Sequence, residues 1–347
     1  SGALEGNVVA AGTLGMPTGQ ITFTLDNAAW GTEKFSRMAG QVSLDALGEL
    51  RGGLAIEQTR IELAGSYRHP PANFGSGDFT VSLKETGFML KDSEALMELR
   101  PGLDGAVASA VRARVVLENG KPQLRFVEGS VKASGLHLGG RRLGDLTING
   151  ETSGDLLNVQ MALAMPSGRA EGDARVRLAG DYPSEGKVTF PRIGFGLIHD
   201  LTGTTADPDK EPELPLRGFL RSSVTWKAPL GDPRQGSAEV TIQELQMRPR
   251  DNAQLGETQV DTSEMTLRNS GPLVLRVDNT AARVVQAKVT ALNTDLTASG
   301  SYTFHSKSPW NAALKGAVNM AVLSTFRRDL VASGSASIDA SLRGAAA

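Results

Sequence analysis

The sequence predicts a mostly β protein: one long, curled sheet of antiparallel strands with a few short helices. Three observations support this prediction. Apolar and polar residues alternate along much of the chain, as where Ile21, Phe23 and Leu25 are separated by single polar residues. Glycine accounts for 40 of 347 residues and aromatic residues for only 5%, which is typical of strands joined by tight turns. Similar phrases also recur at long intervals, which indicates a repeat.

The alternation continues along the chain, with turn signals such as ENGKP (118–122) and GDYPSEG (180–186) between the strands. A strand-to-turn spacing of about 8–12 residues predicts roughly 25–30 strands, mostly joined as hairpins. Because neighbouring strands lie about 4.8 Å apart, one sheet of that size would be on the order of 130 Å long. The segments KDSEALMELRP (91–101) and NMAVLSTFRRDL (319–330) are the two helix candidates.

The second helix candidate places Met320, Leu323 and Phe326 on one face at helical spacing. This face can pack against the sheet as part of a core. The functional alternative is a plug that narrows a groove in the sheet. The periodicity does not separate the two.

Two sets of phrases mark the repeat. The glycines of LAGSY (63–67), LAGDY (178–182) and ASGSY (298–302) are 115 and 120 residues apart. A second set consists of LEGNVVA (4–10), LDGAVAS (103–109) and LRGFLRS (216–222). We therefore expect one continuous β structure made of approximate repeats, with the bounds 1–102, 103–215, 216–331 and the start of a further repeat at 332–347.

The composition argues against several classes of function. A formal charge of −2 provides no basic face for nucleic acid, and the absence of cysteine excludes thiol catalysis, cysteine-based zinc sites and disulfides. His69, His137, His199 and His305 lie far apart in the sequence, in or beside turns, without metal-binding spacing. We expect no catalytic residues, no metal and no cofactor, and therefore not an enzyme.

Two long phrases carry a resemblance to a known family. GTLGMPTGQITFTLDNAAW (12–30) is similar to the repeating phrase of the TamB family, bacterial members of the AsmA-like superfamily. GPLVLRVDNTAARVVQAKVTALNTDLTASGSYTF (271–304) resembles the family's second phrase, an apolar strand followed by further strands and a closing Gly-x-Tyr. The likeness covers most of the chain, although VVLENGKP (115–122) stands where the second repeat would carry the first phrase.

The resemblance implies a periplasmic protein held in the inner membrane by an N-terminal helix, and a long β-sheet that forms an open hydrophobic trough. Such a trough carries glycerophospholipid acyl chains from the inner membrane toward the outer membrane. The implied partners are these acyl chains, the two membranes through parts of the full-length protein outside this sequence, and an outer-membrane assembly barrel. Because the sequence shows no signal peptide and no run of about 18 apolar residues, we expect it to be a middle fragment.

Alternation alone favours apolar faces packed against a second sheet or inside a β-helix. The repeat and the resemblance together favour an open trough working as a passive lipid conduit. Its groove would be lined by one apolar strand face, and twelve residues are predicted to line it: Ile21, Phe23, Leu25, Phe79, Val81, Leu83, Val176, Leu178, Val240, Ile242, Leu273 and Leu275.

Other functions stay open. The same groove could serve the translocation and assembly of outer-membrane or autotransporter proteins, the other role linked to the TamB family. A structural β-solenoid with a filled core would have periods of roughly 20–30 residues, much shorter than those seen. An outer-membrane barrel needs aromatic girdles, which three Tyr and three Trp scarcely supply. A β-helix polysaccharide lyase would need a cluster of acids and bases, which the sequence does not show.

Overall fold

The computed structural model describes residues 2–13, 16–30, 33–45, 49–56, 61–70, 73, 75–166, 168–194, 216–249, 266–320 and 333–344. These ranges are almost entirely β-strand and contain twenty strands and one α-helix. Every strand pair for which a register is defined is antiparallel. The predicted mostly β class, with antiparallel strands and very little helix, is therefore confirmed.

The chain forms two compact units. The first consists of Ser1–Pro166 with Asp173–Pro183, and the second of Ser167–Gly172 with Ser184–Ala347. The division passes through strand β11 (Gly168–Arg177).

The first unit is a meander in which its first ten strands are linked by nine pairs of consecutive strands. Its strands are β1 (Ala3–Thr13), β2 (Met16–Trp30), β3 (Glu33–Leu44), β4 (Glu49–Ile56), β5 (Ile61–Arg68), β6 (Gly77–Met89), β7 (Leu103–Glu118), β8 (Lys121–Leu138), β9 (Arg141–Ser153) and β10 (Leu156–Met165).

Helix α1 (Glu94–Leu99) lies between β6 and β7 and follows a 3₁₀ turn at Leu90–Asp92. It begins after Ser93, whose Oγ accepts a hydrogen bond from the Leu96 N–H at 3.2 Å and so satisfies one of the free donors of the first turn. The helix expected within residues 91–101 is therefore present. Of the second candidate, Leu323 and Phe326 lie outside the described residues, so the plug stays a prediction.

The second unit follows the same pattern. Its strands are β12 (Pro183–Gly194), β13 (Leu216–Pro229), β14 (Ser237–Pro249), β15 (Leu267–Asn269), β16 (Leu273–Val277), β17 (Ala281–Ala291), β18 (Thr294–Thr303), β19 (Trp310–Asn319) and β20 (Ser335–Gly344). Strands β15 and β16 both pair with β14 and with β17, so these two short strands share one position in the sheet.

Several strands of the described residues are longer than the predicted strand-to-turn spacing of about 8–12 residues. Strand β8 has 18 residues, and its pairing with β7 continues through register shifts at Asp104/Ala106 and Arg114/Val115. A β-bulge inserts one residue without ending the strand. A break in the alternation can therefore mark a bulge as well as a turn, and sequence alone does not distinguish them.

Glycine and asparagine make the tight turns between long strands possible. The β7–β8 hairpin turns at Asn119 and Gly120, with φ of 53° and 75°. The β8–β9 hairpin turns at Gly139 and Gly140, with φ of 57° and 80°. Two successive residues at positive φ are typical of a type I′ turn, whose twist matches that of the strands it connects.

The three phrases that end in tyrosine do not have the same structural role. LAGSY lies within β5, and ASGSY lies within β18. LAGDY instead forms the connection from β11 to β12, where Gly180 and Tyr182 have positive φ. The repeat bounds at 103 and 216 coincide with the first residues of β7 and β13, but the repeats themselves stay a prediction.

Candidate functional site: an apolar sheet face in each unit

One face of the first unit is apolar across ten strands. Residues directly opposite each other in an antiparallel pair point to the same face. A row of such residues crosses the unit from β1 to β10 and contains only apolar residues and glycine: Gly6, Phe23, Gly40, Leu54, Leu63, Leu83, Val111, Gly129, Gly150 and Val159. We call the face that carries this row the apolar face of the first unit.

The opposite face of the same strands is polar. The adjacent row, one residue along each strand, contains mainly charged and polar side chains: Asn7, Thr22, Gln41, Gly53, Ala64, Ser82, Arg112, Glu128, Glu151 and Asn158. This amphipathic division follows directly from the period of two in the sequence.

The second unit repeats the arrangement across seven strand positions. Its apolar face carries the row Val224, Val240, Leu275, Val284, Gly300, Ala312 and Leu342. Its polar face carries the row Thr225, Glu239, Arg276, Arg283, Ser301, Asn311 and Arg343.

Ion pairs between strands occupy the polar faces. In the second unit, Arg276 Nε lies 2.6 Å from Glu239 Oε2 and holds the pKa of that carboxyl below its ordinary value. In the first unit, Arg114 Nη2 lies 2.7 Å from Asp78 Oδ1. Exposed pairs of this kind add little stability. Their position indicates that the polar faces are in contact with water.

The apolar faces are not covered by other parts of the described chain. Ile21 and Phe79 in the first unit are 43% and 37% exposed, and Leu275 in the second unit is 36% exposed. A fully packed core residue would have almost no exposed surface. Among the described residues, these three side chains are therefore not enclosed in a packed core.

Ten of the twelve predicted lining residues lie on these apolar faces. Six of them are in the first unit and four are in the second. Seven of them are half-buried: Phe23, Leu25, Val81, Leu83, Val240, Ile242 and Leu273. The other two, Val176 and Leu178, are only 7% and 3% exposed. They offer almost no surface to a ligand in this structure, because their side chains are already packed against protein.

Each apolar face contains a cavity with a glycine in its floor. The first has a volume of about 330 Å³, and its floor includes Gly52 and Gly65. These glycines pair with each other across β4 and β5, so the sheet has no side chains at that point. Tyr67 and Phe79 close one end of this cavity, with ring centroids 6.5 Å apart in an edge-to-face arrangement.

The second cavity has a volume of about 730 Å³ and includes Gly300 in its floor. Tyr302 and Trp310 stand opposite each other on β18 and β19, with ring centroids 4.7 Å apart. Alanine side chains provide much of the rest of the lining. Both cavities thus combine a glycine, a tyrosine two residues later and an aromatic residue on the next strand.

The sequence contained a signal for these cavities that the predicted lining set missed. The phrase Gly-Ser-Tyr, which marks the repeat, is that signal. With a period of two, its glycine and tyrosine must share a face, so it predicts a tyrosine beside a gap on the apolar side. The aromatic partner cannot be read from the phrase, because it depends on the register of the next strand.

The four histidines do not come together in the described part of the chain. His69 is buried, with Nδ1 2.9 Å from the Pro70 carbonyl oxygen, and His305 is exposed in a turn. His137 Nδ1 lies 2.5 Å from the carbonyl oxygen of Gly135 near the end of β8, and His199 lies outside the described residues. Among the residues that the structure describes, no three His, Cys, Asp or Glu side chains form a group that could hold a metal ion.

The described helical segments contain none that is both long enough and apolar enough to cross a membrane.

No protein-family model, curated protein or solved structure significantly matches this chain.

Proposed function

We propose that the apolar faces bind the acyl chains of glycerophospholipids, and that the protein is a passive lipid conduit in the periplasm between the inner and outer membranes of a bacterium. The open apolar face carries this proposal. Side chains such as Ile21, Phe79 and Leu275 are exposed on these apolar faces. The resemblance of the sequence to the TamB family supplies the lipid class and the location.

The energetics support such a role. Moving acyl chains through water exposes methylene groups at a cost of about 0.8 kcal/mol each. An open apolar face removes most of this cost while leaving the head group hydrated. The proposed role needs no reaction, metal or cofactor. A filled-core structural protein is less consistent with the exposure of Ile21, Phe79 and Leu275, because a filled core would bury these side chains.

Two neighbouring residues of β14 provide the test. Ile242 pairs with Leu273 on the apolar face, whereas Thr241 pairs with Val274 on the opposite face and its hydroxyl lies 3.4 Å from Glu239. A photo-crosslinking amino acid is placed at each position in turn, in the full-length protein in cells, and the captured molecules are identified by mass spectrometry. We expect phospholipid at position 242 and none at position 241.

The same experiment separates the alternatives. Capture of outer-membrane polypeptide at position 242 would favour the translocation and assembly role. Capture of nothing, or only of the protein's own chain, at both positions would overturn the proposal, because the strands would then cover one another.

A further inference from the structure

The second unit collects its described tyrosine and tryptophan side chains on one row. Trp226 pairs with Ala238 on β14, and the row continues through β16 and β17 to Tyr302 and Trp310. All three aromatic residues therefore lie on the apolar face. Each is also close to an end of its strand: near the end of β13, near the end of β18 and at the start of β19.

The two sides of this row differ in polarity. Beyond this row, toward the ends of the strands, Phe304 lies with its ring centroid 5.7 Å from that of Tyr302. The chain then enters turns that carry exposed charged residues, including Arg234 after β13 and Lys307 after β18, beside the exposed Leu230. In the opposite direction along the strands, the next rows are mainly aliphatic. On β18, Gly300, Ala298 and Leu296 lie on the same face as Tyr302, two, four and six residues before it in the chain.

Tyrosine and tryptophan suit a boundary of this kind. Each has a large apolar ring and one polar atom that forms hydrogen bonds with water or with a polar ligand. In membrane proteins the same residues concentrate at the level of the lipid head groups. Trp310 is 41% exposed, so its ring is accessible to a ligand on this face.

We propose that the row of Trp226, Tyr302 and Trp310 is the head-group rim of the second unit. A bound glycerophospholipid lies with its ester-linked end against these three rings, and its acyl chains run along the strands toward Leu296. The inference rests on the proposed function and adds the orientation of the lipid.

The dimensions fit this orientation. Tyr302 and Leu296 are six residues apart on β18, which corresponds to about 20 Å at about 3.3 Å per residue. One leaflet of a bilayer contributes about 15 Å of hydrocarbon. The apolar surface of the strand is therefore longer than an acyl chain that starts at the aromatic row.

Three single-tryptophan proteins test the orientation. Trp30→Phe with Trp310→Phe leaves Trp226, and Trp30→Phe with Trp226→Phe leaves Trp310. The third protein carries all three Trp→Phe substitutions and Leu296→Trp. Each is loaded with phosphatidylcholine brominated either near the ester bonds or near the methyl end, and is then separated from free lipid by gel filtration. Bromine quenches tryptophan fluorescence on contact.

We expect ester-end bromines to quench Trp226 and Trp310 more strongly than methyl-end bromines, with the reverse order for the tryptophan at position 296. Equal quenching by both lipids at all three positions, or the opposite order, would overturn the inference and leave the proposed function intact. A phosphate assay on each purified protein measures the bound lipid independently. Absence of lipid from all three proteins and from the unsubstituted protein would overturn both proposals. Circular dichroism and the thermal midpoint confirm that each variant is folded.

Discussion

The cavities of the two units share a Gly-Ser-Tyr phrase and an aromatic residue on the next strand, but they differ in size. In the first unit, Leu50 stands opposite Tyr67, and Leu63 lies two residues before Gly65. The corresponding positions in the second unit are Ala282, opposite Tyr302, and Ala298, two residues before Gly300. The first cavity measures about 330 Å³ and the second about 730 Å³.

Side-chain volume accounts for part of this difference and the backbone for another part, because β17 pairs with β18 through a register shift at Val284/Ala287, whereas β4 and β5 pair without one. A β-strand places its side chains at fixed intervals, so the sheet cannot close around a missing side chain as a flexible loop can. Leucine at two positions narrows the first cavity, and alanine at the equivalent positions widens the second. We therefore expect the second unit to bind the larger share of lipid.

The largest effect is expected from a charge on the apolar face of the second unit. Leu275→Asp places a carboxylate where a bound acyl chain would remove it from water, and an unpaired charge is costly to desolvate. Lipid captured by a photo-crosslinker at position 242 should fall by at least about tenfold, equivalent to about 1.4 kcal/mol. The thermal midpoint should fall by less than it would for a fully buried leucine, because Leu275 is 36% exposed.

The control for this prediction is Asn311→Asp, which adds the same charge to the polar face, opposite Arg343 and outside the lining of the cavity. It should leave capture at position 242 unchanged. Equal losses of capture in both variants would show that net charge, rather than charge on the apolar face, controls binding.

A smaller effect is expected from making the second cavity resemble the first. Ala282→Leu with Ala298→Leu adds six methylene-sized groups to the lining, at positions where the first unit has leucine. Filling the cavity removes space for acyl chains, so lipid capture in the second unit should fall by about fivefold, equivalent to about 1 kcal/mol. The measurement is lipid capture at position 242, compared with capture at Val42 in the first unit.

Ala317→Leu is the matched control, because Ala317 is exposed and stands opposite Asp295 on the polar face. Capture at position 242 should be unaffected by this change. A fall in capture at position 42 as large as that at position 242 would argue against separate cavities as the cause.

The sequence predicts the fold class well because period-two alternation is a local property. Ile21, Phe23 and Leu25 are separated by single residues, and successive side chains of a strand point to opposite faces, so the three lie on one face. Whether that face is exposed depends on contacts between residues that are far apart in the sequence. Val176 alternates with charged residues as clearly as Ile21 alternates with polar ones, yet it is 7% exposed and Ile21 is 43% exposed. Alternation predicts the face of the sheet on which a residue lies, but tertiary packing determines whether other residues cover that face.

The aromatic rows also depend on register. Tyr302 meets Trp310 because β18 and β19 pair with the turn at residues 304–309 between them. Trp226 joins the same row only through the registers of four further strand pairs. Each register depends on turn length and on bulges. The sequence shows the three aromatic residues but does not show that they lie on one row.

A third prediction concerns two glycines of neighbouring strands in the first unit. Gly40 lies on the apolar face under the ring of Phe23, and a Cβ at this position would come within 2.7 Å of Phe23 Cε1. Gly53 lies on the polar face, where a Cβ would only touch the Leu63 carbonyl oxygen at 3.6 Å. Gly40→Ala should force the ring from its preferred rotamer, which costs about 0.5–1.5 kcal/mol.

Both substitutions remove similar conformational freedom from the unfolded chain. The difference in the free energy of unfolding between Gly40→Ala and Gly53→Ala, measured by urea denaturation, therefore isolates the contact with Phe23. Gly40→Ala should be the less stable variant. Equal stabilities would mean that the ring moves away without cost.

The smallest effect is expected from Glu49 in the first unit. Its Oε2 accepts hydrogen bonds from Arg51 at 3.2 Å and Arg68 at 3.0 Å, which hold its pKa below the ordinary value of 4.5. As the pH falls, the unfolded chain therefore takes up a proton at this carboxyl before the folded chain does, and proton uptake favours unfolding. The stabilisation is complete above pH 4.5 and is lost as the pH falls through the lower pKa of the folded state.

Glu49→Gln should accordingly be less stable than the unsubstituted protein near neutral pH, and the gap should close in acid. Urea denaturation at a series of pH values measures the difference in the free energy of unfolding near neutral pH and its change in acid. Glu62→Gln is the control, because Glu62 and its partner Lys84 are both largely exposed and their charged atoms are 4.0 Å apart, so this pair should contribute little at any pH. A gap for Glu49→Gln that stays constant from neutral pH into acid would mean that shape or packing at this position matters, rather than the two charged hydrogen bonds.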